Sequence, residues 1–307
     1  MRAKKLNPKK ILKIVKAYLK ERGQALINLC SKPKSRGRPK EYPDEIILTM
    51  LFLQKAWKLS FREIEDFAKA IFGEESIPDY STYYYRLKQL PSLLLEDLID
   101  YLFWRCIKGK EKNISYFIID GTGFKYEELY PLKILRGTEI KKVRNHVKVV
   151  VLSVHFKNGK RVVVSAVAGK GYSNEIKLGG QVLQWISFEE AFRRIVEGKA
   201  LLADKGYDSE DFICQVLSAG FKPYVKIRNQ GIVRSEFRKL AQQFVDSDGL
   251  YKQRGRIEAL FGEVKQALGS YERTKSFHIA VLFVLAKFVL FNLCAVLVVV
   301  IFQTPSS

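Results

Sequence analysis

Two carboxylates stand where apolar segments of β-strand character end. Asp120 ends ISYFIID, residues 114–120, and Asp204 ends KALLAD, residues 199–204, and a glycine-containing turn is expected after each, at GTG and KGY. Ligands of α/β sheets gather beyond the carboxyl ends of strands, so parallel neighbouring strands would bring the two aspartates together. Paired carboxylates suit Mg²⁺, which favours oxygen ligands and retains water and phosphate oxygens. The alternative is that each aspartate only caps a turn.

A third candidate carboxylate lies in YKQRGRIEALFGEVKQ, residues 251–266. On a helical wheel of about 100° per residue, a stripe about 60° wide carries Tyr251, Arg254, Glu258 and Lys265. Glu263 falls on the opposite side of that wheel and is excluded. An acid between two cations could ligate a metal while the cations bind phosphates. The alternative is a surface pair of Arg254 and Glu258, worth only about 0.3–0.5 kcal/mol.

The composition of the chain is strongly basic. Its 307 residues carry a formal net charge of +21, and residues 1–40 contain 14 lysines and arginines against one acid, Glu21. Such an excess predicts a polyanionic partner, most often a nucleic acid. The alternative is a charge-rich soluble surface of the kind found in thermophiles. The four cysteines are far apart and form no CxxC pair, which argues against a zinc site or a disulfide framework.

The first forty residues predict a basic arm. After a stretch of helical apolar spacing comes KPKSRGRPK, residues 32–40, in which a glycine and two prolines accompany five basic residues. Arms of this kind lie on DNA phosphates or in a minor groove, so Arg36 and Arg38 are candidate DNA contacts. A plain solvated linker is the alternative.

Residues 43–90 predict a compact helical module. The second of three short helices is expected to begin at Ser60, because Glu63 completes the spacing of a capping box. The third would carry Arg86 among several tyrosines, which predicts a helix-turn-helix-like unit with Arg86 as a DNA contact. Alternatively, these tyrosines form part of the core.

The middle of the chain predicts a mixed sheet. β-Branched apolar runs occupy 114–120, 147–156 and 161–167, and KNGK separates the last two in the manner of a hairpin turn. Strand and helix signals then alternate over 199–228. This order predicts a central five-stranded sheet covered by helices.

A long apolar segment, residues 279–302, is long enough to span a bilayer. Lys287 and Asn292 interrupt it, and a charge near the middle of a membrane span is costly. The segment therefore predicts a buried helix packed on a sheet, with a membrane span as the alternative.

Taken together, these blocks resemble the DDE transposases of prokaryotic insertion sequences, in the IS-four and IS-five-like group. That group carries the signature Y-(2)-R-(3)-E-(6)-K, which is matched in full by Tyr251, Arg254, Glu258 and Lys265. IIDGTGFK around Asp120 is similar to the first acid block of the family, with DGTG in place of DSTG. LLADKGYDS around Asp204 is similar to its Asp-x-x-Tyr-Asp block. The resemblance covers residues 36–295.

The resemblance implies an RNase H-like catalytic core, a five-stranded mixed sheet flanked by helices, preceded by an all-α helix-turn-helix-like DNA-binding region. Asp120, Asp204 and Glu258 would be the catalytic acids and would hold two Mg²⁺ or Mn²⁺ ions. Tyr251, Arg254 and Lys265 would contact DNA. Members of the family often have an acid just before the helix after the third strand, and Glu175 in YSNEIK could substitute for it.

The implied activity is cleavage of DNA at the ends of an insertion sequence and transfer of the 3′-OH into target DNA. The expected partner is double-stranded DNA, both terminal inverted repeats and target, with a dimer assembled on it, no membrane, and a cytoplasmic location on the nucleoid. The expected division is an arm (1–40), a DNA-binding domain (41–112), a catalytic domain (113–302) and a tail (303–307). The alternatives are a stand-alone nuclease with the same core and a catalytically silent DNA-binding protein derived from a transposase.

Overall fold

The computed structural model describes residues 3–30, 41–127, 132–136, 139–143, 146–187, 189–228 and 233–301. Of the predicted arm, residues 3–30 are described and are mostly helical, whereas residues 31–40, with Arg36 and Arg38, and the predicted tail lie outside the described residues. The chain forms two compact units, one of Met1–Arg105 together with Val264–Ser307 and one of Cys106–Glu263. The functional boundaries expected near residues 40 and 112 remain predictions.

Helices and strands of the described residues are numbered in chain order. The α-helices are α1 (Pro8–Tyr18), α2 (Gln24–Cys30), α3 (Asp44–Trp57), α4 (Phe61–Phe72), α5 (Tyr80–Gln89), α6 (Leu93–Ile107), α7 (Glu175–Ser187), α8 (Glu190–Val196), α9 (Glu210–Ser218), α10 (Glu236–Ser247), α11 (Arg256–Leu268) and α12 (Phe277–Ile301). The strands are β1 (Ile114–Tyr126), β2 (Leu132–Arg136), β3 (Glu139–Val143), β4 (His146–Phe156), β5 (Arg161–Lys170), β6 (Ala200–Ala203), β7 (Lys222–Val225) and β8 (Tyr271–Glu272).

The second unit is built on a mixed five-stranded sheet with the order β5-β4-β1-β6-β7. β4 pairs antiparallel with both β1 and β5, whereas β6 runs parallel to both β1 and β7. In chain order these strands stand 3-2-1-4-5, which is the arrangement of the RNase H-like fold. Helix α7 packs on β4 and β5, and α9 and α10 pack on β7. The predicted fold class is confirmed.

The hairpin between β4 and β5 forms at the predicted turn. The N–H of Phe156 donates to the carbonyl of Lys160 at 2.9 Å, and Gly159 has a φ of +79°. That conformation is accessible to glycine without strain, so the KNGK sequence fixes the register of β4 and β5.

Helices α3, α4 and α5 of the first unit pack on one another, as the sequence predicts. Helix α4 begins at the capping box, where the Ser60 hydroxyl accepts from the N–H of Glu63 at 3.3 Å and the Glu63 carboxylate accepts from the N–H of Ser60 at 2.7 Å. Helix α5 begins after Asp79, whose carboxylate accepts the N–H groups of Ser81 and Thr82. These caps satisfy backbone donors that would otherwise lack partners.

Helix α12 is the apolar helix predicted over 279–302. Among the described residues it is the helix long and apolar enough to cross a membrane, over Phe277–Leu297, and 89% of its most apolar stretch is buried inside the protein. In its own unit it packs mainly against α3 and also against α5. The buried helix is confirmed, but its neighbours there are helices and not the predicted sheet. A helix that is apolar on all sides gives no pattern from which its partner can be inferred.

A buried ionic triad interrupts the apolar packing of α12. The Nζ of Lys287 is fully buried, pairs with Glu272 and donates to the carbonyl of Gly269 at 2.6 Å. Glu272, also buried, accepts from Lys55 of α3 at 2.5 Å. Burial lowers the pKa of Lys287 to about 8 in spite of the nearby carboxylate. The lysine that interrupts the apolar segment therefore links α12 to α3 through one shared acid.

His155 on β4 is a buried residue of the sheet. Its ring stacks on that of Tyr116 with centroids 5.1 Å apart, and its Nε2 lies 3.1 Å from the Ser153 hydroxyl. Burial, together with the charges of Arg161 and Arg256, lowers the pKa of His155 to about 3. The histidine is therefore a neutral core residue.

The depressed pKa of His155 predicts acid sensitivity of the second unit. An unfolded histidine takes up its proton near pH 6.5, whereas the folded one does so near pH 3. The unfolded state thus binds more protons between these values, and stability should fall by up to about 1.4 kcal/mol for each pH unit as the pH drops through this window. Urea unfolding of the wild type and of His155→Phe between pH 4 and pH 7 measures this slope. An equal pH dependence in both proteins would contradict the prediction.

Candidate active site

Parallel pairing of β1 with β6 brings two carboxylates together. The register places Ile119 opposite Ala203, so the next residue on each strand is an acid, Asp120 and Asp204. Asp204 also begins the 3-10 turn Lys205–Tyr207, which is the predicted KGY turn. Neighbouring parallel strands lie about 4.8 Å apart, which places both aspartates at one edge of the sheet.

The other predicted turn, GTG after Asp120, is wrong, because β1 continues through these residues while paired with β4. The glycines serve the packing of neighbouring side chains. A β-carbon on Gly121 would lie 2.5 Å from the carboxylate of Glu175, and one on Gly123 would lie 2.9 Å from the ring of His146. Larger residues here would displace both side chains from the surface of the strand.

Glu258 lies in the first turn of α11. The segment before it, Leu250–Gly255, is a 3-10 helix and not the start of the α-helix. The wheel of 100° per residue applied from Tyr251 is therefore wrong up to Gly255, because a 3-10 helix turns by about 120° per residue. Arg254 nevertheless reaches Glu258, with Nη2 at 3.3 Å from Oε1.

A single guanidinium contacts all three candidate acids. The Nη1 of Arg254 lies 3.5 Å from Asp120, its Nε lies 3.9 Å from Asp204, and its Nη2 lies 3.3 Å from Glu258. The exposed fraction of the acid side chains rises in the same order, from 16% through 42% to 66%. The structure thus gathers the three acids around one cation in a cluster that is shielded at Asp120 and open at Glu258.

Asp120 is largely buried and lies near two other carboxylates, those of Glu175 and Asp204. Burial, together with the charges of Glu175 and Asp204, raises the pKa of Asp120 to about 6, although the N–H of Gly121 and the charge of Arg254 oppose this rise. The Gly121 N–H donates to the Asp120 carboxylate at 2.8 Å. A cation that binds here would be stabilised by a carboxylate with few other partners.

Glu175 and Tyr207 extend the acid cluster beyond the three predicted residues. Glu175 is the first residue of α7, and its carboxylate lies over Gly121. Tyr207 is 1% exposed, and its ring packs on Phe212 at a centroid distance of 4.9 Å. Burial raises the pKa of Tyr207, and the charges of Glu175 and Asp120 raise it further. The sequence offered the position of Glu175 after the third strand, and it offered Tyr207 only as the tyrosine of the Asp-x-x-Tyr-Asp block.

Two nearby acids have other partners. Glu263, which the wheel excluded, pairs with Arg161 at 2.9 Å. Asp208 accepts from both Nε and Nη2 of Arg238, at 2.7 and 2.6 Å, and the N-cap of α9 is Ser209. A bidentate pair with an arginine uses both oxygens of the Asp208 carboxylate.

The candidate DNA-contact residues lie in different places. Tyr251 is half-buried, and burial with the charges of Asp204 and Asp120 raises its pKa, which places its hydroxyl in the field of the acids. Lys265 lies on α11, seven residues beyond Glu258, or about 10 Å along the helix axis. Burial lowers the pKa of Lys265.

Arg86 occupies the core of the first unit. It is 6% exposed, pairs with Asp44 at the start of α3, and donates to the carbonyl of Tyr42 at 2.7 Å. A buried guanidinium with these partners holds helix α5 to the start of α3. The structure therefore corrects the prediction of Arg86 as a surface DNA contact.

The carboxylate cluster has the type of donor atoms that a divalent cation binds. Its donors are carboxylate oxygens, the ligands that Mg²⁺ prefers, and they surround a position already held by a positive group. Within the described part of the chain, no three histidine, cysteine, aspartate or glutamate side chains stand close enough to hold one metal ion together. The donor atoms are therefore of the type that the ion binds, but the guanidinium of Arg254 occupies the centre of the cluster.

A family model and a relative of similar length match most of this chain. The family model described as "Transposase DDE domain" matches residues 111–293. An uncharacterized protein of Aquifex aeolicus (strain VF5) is 32% identical over 273 residues, which are 87% of this chain and 82% of that protein.

Two solved structures align with most of the chain at low similarity. One is the piggyBac transposase synaptic complex with hairpin DNA, with a TM-score of 0.46, 11% identity, and coverage of 94% of this chain and 74% of that one. The other is the Mos1 mariner paired end complex with Mn, with a TM-score of 0.27, 10% identity, and coverage of 92% and 86%.

Proposed function

Because this chain belongs to the transposase DDE domain family, we propose that it is a DNA transposase that cleaves the ends of an insertion sequence and joins the 3′-OH to target DNA. We further assign it to the group with the Y-R-E-K signature. The observation that carries the proposal is the contact of one guanidinium with Asp120, Asp204 and Glu258. Acids separated by 83 and 53 residues meet there, on the edge of an RNase H-like sheet.

The three acids would hold Mg²⁺ or Mn²⁺ through their carboxylate oxygens. Two such ions, when bound, supply an activated nucleophile and stabilise the leaving oxygen in phosphoryl transfer. Asp120 and Asp204 offer their oxygens from neighbouring strands, and Glu258 offers its own from the first turn of a helix. These elements hold the backbones of the three acids in place, whereas the guanidinium of Arg254 must leave before the acids can share one ion. Asp120 must also lose its proton, which its pKa of about 6 permits at neutral pH.

The remaining signature residues would bind the substrate. Arg254 and Lys265 supply positive charge for phosphates near the scissile bond. Tyr251 offers a ring for a terminal nucleotide. Arg36 and Arg38 would lie along the DNA backbone or in the minor groove.

The proposed partner is double-stranded DNA, both the terminal inverted repeats and the target. We place a dimer on that DNA and the protein on the nucleoid in the cytoplasm. Residues 41–112 would bind DNA and residues 113–302 would carry the catalytic centre. The net charge of +21 supports a polyanionic partner.

Removal of metal tests the proposed function. The purified full chain is expected to cleave a plasmid carrying the terminal repeats when Mg²⁺ is present, to lose this activity in EDTA, and to regain it with Mn²⁺. A plasmid with scrambled repeats is the control. Joining of a labelled 3′ end to a second plasmid distinguishes a transposase from a stand-alone nuclease, which only cleaves, and from a silent DNA-binding protein, which only binds. Cleavage that persists in EDTA would contradict the proposal.

A further inference from the structure

We infer that Arg254 is an internal cation that competes with metal ions for the three acids, and that a DNA phosphate opens the metal site by drawing the guanidinium away. This inference rests on the proposed function. It gives Arg254 two successive partners, the acids before DNA binds and the phosphate afterwards.

The contacts of the guanidinium carry the first step. Each of its three nitrogens faces a different acid, with Nη1 toward Asp120, Nε toward Asp204 and Nη2 toward Glu258, all between 3.3 and 3.9 Å. In this arrangement the donors of Arg254 point at the enzyme's own carboxylates. Two of the five N–H donors of the guanidinium are used, by Nη1 toward Asp120 and by Nη2 toward Glu258, so a phosphate that binds these nitrogens competes with the two acids.

The charges of the cluster explain why Arg254 and a metal ion would compete. Asp120, Asp204, Glu258 and the neighbouring Glu175 bring four carboxylates to one cluster, and Arg254 is the cation in contact with three of them. Without a cation at the centre these like charges would repel one another. A divalent ion held by the same oxygens would stand within a few ångströms of the guanidinium, where the two positive charges repel strongly. The two cations therefore exclude each other.

The local backbone allows the exchange. Arg254 lies in the 3-10 segment Leu250–Gly255, and its side chain is 23% exposed, so one side of it already meets solvent. An arginine side chain can leave by changing rotamers while its backbone stays in place. The acids, in contrast, are fixed on two strands and a helix turn.

Thermodynamic linkage makes metal binding depend on DNA binding. If DNA withdraws the guanidinium and so raises the metal affinity, bound metal must raise the DNA affinity by the same factor. The protein free of DNA would then hold metal weakly. Cleavage would be confined to DNA that has already engaged Arg254.

The experiment measures Mn²⁺ binding by the electron paramagnetic resonance signal of the free ion, with full-length protein and without DNA. Arg254→Ala is expected to bind Mn²⁺ at least about 5-fold more tightly than the wild type. Arg254→Lys, which keeps the charge but loses the planar fork, should lie between the two. Lys252→Ala removes an exposed charge from the same 3-10 turn and should bind as the wild type does.

A second measurement adds a DNA duplex that ends at the cleaved 3′-OH. The wild type should gain metal affinity with this duplex, whereas Arg254→Ala should gain none because its competing cation is already absent. Equal thermal midpoints show that the variants are folded. An Mn²⁺ affinity of Arg254→Ala equal to or below that of the wild type would overturn the inference, while end cleavage by the wild type would still support the proposed function. A wild type that neither binds Mn²⁺ nor cleaves DNA would overturn both.

Discussion

Replacement of Asp120, Asp204 or Glu258 by its amide is expected to lower the rate of end cleavage by about 10³-fold or more, equivalent to about 4 kcal/mol of transition-state stabilisation. The amide keeps the shape of each side chain but removes the negative charge that would hold a metal ion. The three acids share one guanidinium, so their losses should not add in double variants. Cleavage of a labelled terminal-repeat duplex in Mg²⁺ measures the effect, and binding of the same duplex shows that each variant still folds.

Glu263→Gln is the matched control for these variants. Glu263 belongs to the same helix as Glu258, but it pairs with Arg161. Its amide should therefore leave cleavage within about 2-fold of the wild-type rate, since one partly exposed ion pair contributes little. If purified Glu258→Gln cleaves at the wild-type rate, Glu258 is not a metal ligand. Glu175, which lies over Gly121, would then be the next acid to test.

Glu272→Gln is expected to destabilise the first compact unit by about 3–5 kcal/mol, because it leaves the buried ammonium of Lys287 without a counter-charge. The loss should appear as a lower midpoint of urea unfolding, followed by the fluorescence of Trp57 and Trp104. Replacing both partners by apolar residues, Glu272→Leu with Lys287→Met, should restore part of the stability, since the fully buried charge of Lys287 is removed while Lys55, whose side chain is 13% exposed, still lacks its acid.

The exposed pair of Arg194 and Glu190 provides the comparison for Glu272. Its side chains are 77% and 80% exposed, so Glu190→Gln should change stability by at most about 0.5 kcal/mol. Equal stability of Glu272→Gln and Glu190→Gln would mean that the buried triad contributes no more than a surface pair.

Features with local causes could be predicted from the sequence. The Ser60–Glu63 capping box and the KNGK hairpin each depend on residues a few positions apart. The meeting of Asp120 and Asp204 could also be predicted, because acids that follow apolar strands reach the same sheet edge when those strands run parallel.

Features that depend on distant partners could not be predicted. The glycines after Asp120 signal a turn by local propensity, yet they form part of a strand because Glu175 and His146 lie over them. Arg86 has the same sequence signature whether it faces DNA or Asp44, which lies 42 residues away. Tertiary packing decides both cases, and no local pattern contains that information.

The central position of Arg254 was only partly foreseen. The wheel placed it beside Glu258, and that contact forms although the first part of the stretch is a 3-10 helix. Its contacts with Asp120 and Asp204 depend on how α11 meets the sheet of the second unit. The spacing of residues within one stretch gives no information about how a helix packs on a sheet formed by distant residues.

The first compact unit draws on both ends of the chain, Met1–Arg105 and Val264–Ser307, and this sets an order for synthesis on the ribosome. The sheet with Asp120 and Asp204 can fold before α12 has been synthesised. Helix α3 packs on α12, which lies near the end of this sequence, so α3 lacks that partner until then. Domains generally fold as they emerge, so the sheet with Asp120 and Asp204 is complete before the helical unit is. A product cut short before α12 would carry all three acids and yet leave α3 without its apolar cover. Such a product would be a substrate for proteases, so a lasting protein requires translation through α12.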